Sequence, residues 1–367
     1  MKIGILGTRG IPNHYGGFEQ FAEYLSVGLV KRGHEVVVYN SSDHPYQKCE
    51  WNGVRIQHCK DWEGRIGTAG QFIYDFNCIV NARKQNFDIL LQLGYTSSSV
   101  WKNILPKKAV VVTNMDGLEW KRTKFKPSVQ SFLKKAEKWA VESSTHLVAD
   151  SKGIQSYLKH KYHVNSTFIA YGSDLFTETD ASILDEYNLT EGAYNMLIAR
   201  MEPENNIEVI LDGVVESANQ QTFLVIGKTE NDFGKYLVHK FKSSSNIKFL
   251  GGIYNINALN NLRYYSNFYF HGHSVGGTNP SLLEAMASSA FIVANDNAFN
   301  AAIVETDALY FSTSDDIKRI LDSPLGPDLK RKYIRSNRNK IENLYSWEII
   351  IQGYEDLFLK LAETKES

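Results

Sequence analysis

Residues 271–287 read HGHSVGGTNPSLLEAMA. The run NFYFHG that leads into them has strand character, and PSLLEAMA has helix character, with Asn279 placed to cap the helix and Pro280 at its first position. Between them the loop VGGTN presents backbone amides to whatever sits above it. Gly276 and Gly277 permit positive φ and close backbone approach, which suits a phosphate cradle. Glu284 lies about one turn into the helix. A carboxylate there repels phosphate, so its natural target is a neutral diol such as a ribose. An ordinary capped helix with a solvated Glu fits the same residues.

Working outward, strand and helix patterns alternate on both sides of this junction. KIGIL is a short buried strand; a glycine-punctuated loop runs to Gly17; Phe18, Phe21, Ala22, Leu25 and Leu29 then recur at helical spacing before EVVVYN. Further strands are expected at 88–93, 109–114, 145–150 and 166–171. After a polar, aperiodic stretch from about 172 to 194 a second series follows: NMLIA, TFLVIG, NIKFLG, NFYFHG, AFIVAN and ALYFS, with helix patterning at 205–218, 257–265 and 280–289. The order implies an α/β chain of two tandem doubly wound domains. The segment SWEIIIQGYEDLFLKLAE (346–363) is a long amphipathic helix with no strand after it. Open parallel sheets bind ligands beyond the carboxyl ends of their strands, so two such domains facing each other form one cleft.

Composition narrows the classes. The 367 residues, 43% hydrophobic and 22% charged, allow two globular domains with a full core each. MKIGILG lacks the apolar core of a signal peptide, and no apolar run reaches the roughly 18–20 residues that span a bilayer. Cys49, Cys59 and Cys78 have neither disulfide-framework nor zinc-site spacing, which points to a reducing cytoplasm. Net charge is −1, yet residues 1–172 carry 23 Lys and Arg against 14 Asp and Glu, and residues 173–367 carry 17 against 27. The halves are built for different partners.

Other motifs each admit two readings. The loop GTRGIPNHYGGFEQ (7–20) links a strand to a helix but is longer than a dinucleotide turn, and Asn40 stands where a nicotinamide site wants an acid; an oxidoreductase is therefore disfavoured. Arg200 closes the strand NMLIA and suits phosphate oxygens, or a surface ion pair. Asp116, in NMDGLEWKR, could polarise an acceptor hydroxyl or cap a turn. The stretch 121–140 holds seven Lys and Arg and one Glu. Its Lys121, Arg122, Lys134, Lys135 and Lys138 fit an anionic membrane surface, a polyphosphate head group, or plain solvation. No recognised nucleic-acid reader is present, so no nucleic acid is expected. His14, His271 and His273 lack an Asp or Glu at metal-site spacing, so no metal is expected. Asp315 and Asp316 read as a helix start.

Taken together, GTRGIPNHYGGFE, NMDGLEWKR, ADSKGI, YGSD, ARMEPENNIE and HGHSVGGTNPSLLEAMA resemble retaining glycosyltransferases of the GT-B fold, family four, and in particular a bacterial rhamnosyltransferase-like branch. The resemblance implies three parts: an acceptor-side Rossmann-like domain (1–172), a nucleotide-sugar domain (173–345) and a C-terminal helix (346–367) that crosses back onto the first. It implies that Arg200 meets the donor diphosphate and that Glu284 holds the ribose. Gly16, Gly17, Tyr254, His273, Gly276, Gly277, Thr278 and Asn279 complete the donor side, while Arg9, His14 and Tyr15 join the lysines on the acceptor or membrane side. Gly276 stands where the family's first acid would be, and Asn205 and Asn206 stand where broad members carry a Lys; this favours a 6-deoxy sugar donor. The implied enzyme moves L-rhamnose from dTDP-L-rhamnose to a polyprenyl-diphosphate-linked glycan in surface polysaccharide synthesis. It works as a cytoplasmic protein at the inner face of the membrane, without cofactor or metal, and closes its domains on the donor. A UDP- or GDP-hexose transferase, a sugar-nucleotide 2-epimerase and an inactive glycan-binding homologue are the rivals.

Overall fold

The structure is a computed structural model and describes every residue except Tyr15, Thr123, Lys124, Pro324, Leu325 and Ser367. The chain divides into two compact units. The first comprises Met1–Trp120, Phe125–Tyr171 and the C-terminal segment from Trp347; the second comprises Gly172–Ser346 together with Lys121 and Arg122.

The first unit holds an eight-stranded sheet built from β1 (Lys2–Leu6), β2 (Glu35–Ser41), β3 (Glu50–Trp51), β4 (Val54–Cys59), β5 (Ile89–Leu93), β6 (Val110–Asn114), β7 (His146–Ala149) and β8 (Thr167–Phe168). Their order is β3-β4-β2-β1-β5-β6-β7-β8, all parallel except the β3–β4 pair. Ile3, Ile5, Ile89, Leu90, Leu91 and Val112 are sealed from solvent, as expected of parallel strands covered on both faces. The β3–β4 hairpin escaped the sequence reading although Asn52 and Gly53, at φ 48° and 81°, are a typical hairpin pair.

The second unit holds six parallel strands: β9 (Tyr194–Ile198), β10 (Thr222–Ile226), β11 (Ile247–Gly251), β12 (Phe268–His271), β13 (Ile292–Asn295) and β14 (Leu309–Phe311), in the order β11-β10-β9-β12-β13-β14. Phe223, Val225, Phe270 and Phe311 from the strands, with Phe291 just before β13, pack on Ile207, Ile210, Leu211 and Val214 of the helix Ile207–Glu216. Thr313 and Asp316 form a capping box at the start of the helix Ser314–Asp322, so the helix-start reading there holds.

The last helix, Trp347–Glu366, packs within the first unit. Trp347 stacks on Tyr24 with ring centroids 4.5 Å apart, and Tyr354 and Phe358 are fully buried. Gly28 of the helix Gly17–Lys31 leaves the room that Ile351 fills, and Glu348 pairs with Arg32 at 2.5 Å. Each apolar side chain buried this way contributes about 1.5–3 kcal/mol. Among the described residues no helix is long and apolar enough to cross a membrane.

Candidate active site

In the second sheet the chain winds outward from β9 through β10 to β11, and in the other direction from β12 through β13 to β14. The strand order therefore reverses between β9 and β12, and the loops beyond those two carboxyl ends frame the crevice in which such sheets take ligands. Arg200, two residues beyond β9, is exposed, and among the described residues its guanidinium makes no hydrogen bond or ion pair. Its carbonyl accepts from Glu202 N at 2.8 Å and from Asn205 Nδ2 at 2.7 Å. Asn206, left-handed at φ 50°, donates Nδ2 to Gly272 O at 2.7 Å, and Ser274 Oγ donates to Glu204 O at 2.7 Å. The two asparagines thus anchor the loop after β9, Asn206 tying it to the loop after β12. A Cβ on Gly272 would stand 2.1 Å from Asn205 O, which explains the glycine.

At the end of β12 the rings of His271 and His273 stack with centroids 4.4 Å apart. Burial pushes the His271 imidazole well below its usual range, and burial with the nearby Arg200 and Arg122 guanidiniums pushes His273 down to about 3. Both rings are neutral at pH 7. Nδ1 and Nε2 of His271 and Nδ1 of His273 are buried with no hydrogen-bond partner among the described residues, an uncommon state for buried polar atoms. Gly276 sits at φ 144°, whereas Gly277 does not take a positive φ. Asn279 caps the helix Pro280–Ala287 by accepting from Ser281 N at 2.9 Å, and Leu282 N already bonds Asn279 O. With Pro280 lacking an N–H, this helix end offers a ligand its dipole and the backbone of the 276–279 loop rather than its first amides.

Glu284 is paired. Arg263 Nη2, from the helix Ile256–Tyr264, donates to Glu284 Oε2 at 2.5 Å, and the Arg263 side chain is 1% exposed. Sequence reading missed Arg263; its only signal is a basic residue in line with Leu259 and Leu262 on that helix's buried side. Beyond β11, three strands from β12, Tyr254 is 66% exposed, and Lys228, beyond β10, places Nζ 5.4 Å from its ring. The second unit thus gathers Arg200, His273, Gly276, Gly277, Thr278, Asn279 and Glu284 around the reversal point, with Tyr254 farther along the same edge.

In the first sheet the reversal lies between β1 and β5. The loop after β1 carries Arg9, which is clamped by Glu63 through Nε to Oε2 at 3.1 Å and Nη2 to Oε1 at 2.8 Å. The buried carboxylate of Glu19 accepts from Arg9 N at 2.8 Å. Asn40 is wholly occupied with this loop: its Nδ2 donates to Ile11 O at 2.7 Å and its Oδ1 accepts from Ile11 N at 3.1 Å. Asn40 therefore holds the loop, in the place where a nicotinamide site would hold a ribose. His14 meets His44 edge-on at 4.3 Å. Gly16 precedes and Gly17 begins the helix Gly17–Lys31; Tyr15 lies outside the described residues. Asp116, beyond β6, adopts φ 48°, and its N–H donates to Asn114 Oδ1 at 3.0 Å.

Two groups at this edge were not singled out from sequence. Asp75, 4% exposed, accepts from Ser97 Oγ at 2.6 Å, and burial pushes its carboxyl up to about 7. Tyr95 Oη is buried with no partner among the described residues.

The basic stretch divides. Lys134, Lys135 and Lys138 are exposed on the helix Pro127–Ser143, while Glu137 on its buried side accepts from Trp120 Nε1, Tyr157 Oη, Tyr162 Oη and Lys161 Nζ. Lys121 and Arg122, grouped with them from sequence, cluster instead with the second unit, where Arg122 Nη1 lies 3.9 Å from Glu202. Among the described residues no three His, Cys, Asp or Glu side chains come together as a metal-holding group.

A family profile described as "Domain of unknown function (DUF1972)" matches residues 1–174. No curated protein is matched by the sequence. Among solved structures the chain is similar to a sucrose-phosphate synthase from Thermosynechococcus elongatus, with TM-score 0.80, 16% identity and 99% of each chain covered. It is also similar to HepE of Anabaena in complex with UDP and glucose, with TM-score 0.75, 16% identity and 98% of this chain against 100% of that one. A third is WaaG, a glycosyltransferase involved in lipopolysaccharide biosynthesis, with TM-score 0.70, 13% identity and 98% against 99% covered. The agreement over whole chains establishes the fold: two parallel-sheet α/β units of the GT-B type.

Proposed function

We propose that the chain is a glycosyltransferase that moves a sugar from a nucleoside-diphosphate donor to an acceptor hydroxyl. One observation carries this reading: Arg200 stands exposed at the β9–β12 reversal, beside a glycine loop and the positive end of the helix Pro280–Ala287. In the reaction the bond from the anomeric carbon to the diphosphate oxygen breaks, the acceptor oxygen bonds that carbon, and the acceptor proton passes to the departing diphosphate. Negative charge grows on the leaving oxygen, where Arg200, the 276–279 backbone and the helix dipole act. Asp116 orients the acceptor hydroxyl. The neutral, partly exposed His273 ring can hydrogen-bond the sugar without adding charge beside the diphosphate, with His271 stacked beneath it.

The donor is dTDP-L-rhamnose and the acceptor a polyprenyl-diphosphate-linked glycan at the membrane, a reading supported by the spread of motifs from residue 7 to 287 and by the basic face of the helix Pro127–Ser143. A UDP-hexose donor is the second reading, favoured by the likeness to HepE, which is solved with UDP and glucose. A thermal-shift panel of dTDP-, UDP- and GDP-sugars separates them, since a ligand at 100 times its Kd adds about 2.7 kcal/mol. Acceptor-dependent release of nucleoside diphosphate, undiminished by a chelator, is expected; release without acceptor would favour an epimerase, and no release with any donor would favour an inactive homologue.

A further inference from the structure

Asp75 is buried on the helix Ala69–Ala82, and among the described residues its side chain takes one hydrogen bond, from Ser97 Oγ at 2.6 Å. Its place is the ligand edge of the first sheet. The neighbouring Tyr74 hydroxyl lies 2.9 Å from Tyr39 O and 3.1 Å from Thr8 O, which holds that turn of helix at the carboxyl ends of β2 and β1. Ser97 is half-buried in the loop beyond β5, and Gly94 N of the same loop donates to Asn114 O at 3.0 Å, at the end of β6. Tyr95 Oη and Ser99 Oγ, on either side of Ser97 in the chain, are buried with no partner among the described residues. This segment carries more hydroxyls than internal partners, an uncommon state that a polyhydroxy ligand would relieve.

We propose that Ser97 and Asp75 form an acceptor subsite: Ser97 Oγ accepts a hydrogen bond from a hydroxyl of a neutral sugar, and Asp75, a positioning residue, fixes the polarity of that contact. An ionised carboxylate only accepts, so it draws the single Ser97 proton inward and leaves the Oγ lone pairs to a ligand hydroxyl that donates. A protonated Asp75 can donate to Oγ itself and let the Ser97 proton turn outward. Hydrogen bonds chained to a charge are the stronger ones, so the sugar is held more tightly when Asp75 is ionised. The inference rests on the transferase reading above and adds residues that meet the acceptor.

Burial pushes the Asp75 carboxyl up to about 7; the Ser97 bond holds it back, Asp61 from the loop after β4 adds to the rise, and Arg9 opposes it. The two arrangements therefore exchange near neutral pH. Arg9 is bound to Glu63, and Lys102, on the turn Ser98–Ile104 that packs on this helix, to Glu142. Burial pushes Tyr74 and Cys78 well above their usual ranges, so neither titrates in that window, while Cys59 on β4 is lowered by its contact with Cys78.

Octyl hexopyranosides of gluco, galacto and manno configuration serve as probes, titrated into the whole chain by NMR at pH 5 and pH 8, with calorimetry of UDP and dTDP as the donor-side control. The glycoside that binds best should bind about threefold to tenfold more tightly at pH 8. Ser97→Ala should weaken it by a like factor at pH 8 and remove the pH dependence, and Ser97→Thr should restore both. Asp75→Asn should remove the pH dependence while binding persists, which separates Asp75 from Cys59. Nucleotide affinity should change by less than about twofold in all three variants. A merely structural Asp75 would shift the melting point and leave wild-type glycoside affinity equal at the two pH values, and that result overturns the proposal. So does a failure of all three glycosides to bind while a nucleotide binds, which leaves the donor reading standing. If glycosides bind with the expected pH dependence and no nucleotide binds, the subsite stands and the donor reading falls. The wild-type ratio needs no variant, so poor folding of a variant does not shield the idea.

Discussion

At the β9–β12 reversal Arg200 is exposed and unpaired among the described residues, whereas at the β1–β5 reversal Arg9 is held by both oxygens of Glu63. The second edge keeps its titratable rings neutral by burial, with His273 down to about 3, and the first disfavours ionisation of a carboxyl by burial, with Asp75 up to about 7. Both edges come from the same winding of parallel strands. They differ in whether positive charge has been spent on internal partners. An edge that leaves a guanidinium open suits an anion, and one whose charges are internally matched suits a neutral polyhydroxy ligand. On that ground we propose the second unit for the donor diphosphate and the first for the acceptor.

The sharpest way to break that contrast is to exchange the consequences of losing each arginine. Arg200→Ala should lower kcat by about 10²–10³ with little change in thermal midpoint, because an exposed side chain without an ion pair supports little structure. Arg9→Ala should do the reverse, costing roughly 1–2 kcal/mol of stability through the half-buried bidentate pair and reducing kcat by less than Arg200→Ala does. Steady-state kinetics beside melting curves decides it; equal losses of kcat would end the division of labour.

Next in size is the Arg263–Glu284 pair. Glu284→Ala leaves a cation buried at 1% exposure without that carboxylate, so unfolding free energy should fall by roughly 3–5 kcal/mol. Adding Arg263→Met should restore most of it in urea denaturation. A single variant as stable as the wild type would mean that the pair does not hold this edge together.

Acid and alkali should then stress the two units in opposite directions. Unfolded histidine titrates near ~6.5, and His271 and His273 bind protons far more weakly in the fold. Below ~6.5 the unfolded chain holds more protons, so the second unit loses stability as pH falls toward about 3. Asp75 binds its proton more tightly in the fold, so the first unit loses stability as pH rises from ~3.9 to about 7. Asp75→Asn should flatten that second limb and raise stability at pH 8 by roughly 2–4 kcal/mol. His271→Phe should remove much of the acid sensitivity. Urea midpoints at pH 5 and pH 8 report both, and an unchanged pH profile in either variant removes that residue from the account.

What could be read from sequence follows from how local each signal is. The junction at 271–287 declares itself through an aromatic strand, two glycines and an Asn-Pro pair, all within reach of their neighbours in the chain, and the structure returns strand, loop, cap and helix there. Arg263 and Glu284 lie 21 residues apart and meet only because two helices pack. Asp75 is 22 residues from Ser97. Lys121 and Arg122 adjoin the basic helix that follows them, and adjacency is all that the sequence states about their partners. Charge pairing is decided after folding, and a linear sequence states it poorly.

The smallest effect belongs to the exposed lysines, and it also tests which unit meets a membrane. Lys138 lies 3.8 Å from Glu142 in an exposed pair, and Lys134 Nζ sits 4.5 Å from the Trp120 ring centroid. Such contacts are worth about 0–1 kcal/mol each, so replacing Lys134, Lys135 and Lys138 by Gln should shift stability by about 1 kcal/mol or less. Near an anionic bilayer each lysine contributes about 1 kcal/mol of attraction, so vesicle binding should weaken about tenfold to a hundredfold and lose much of its salt dependence. The helix Pro327–Lys340 supplies the matched control, since Arg331, Lys332 and Arg335 are exposed there on the second unit. Weakening from that triple replacement, with none from the first, would move the membrane-facing surface to the second unit and leave the basic face of the helix Pro127–Ser143 as a solvated one.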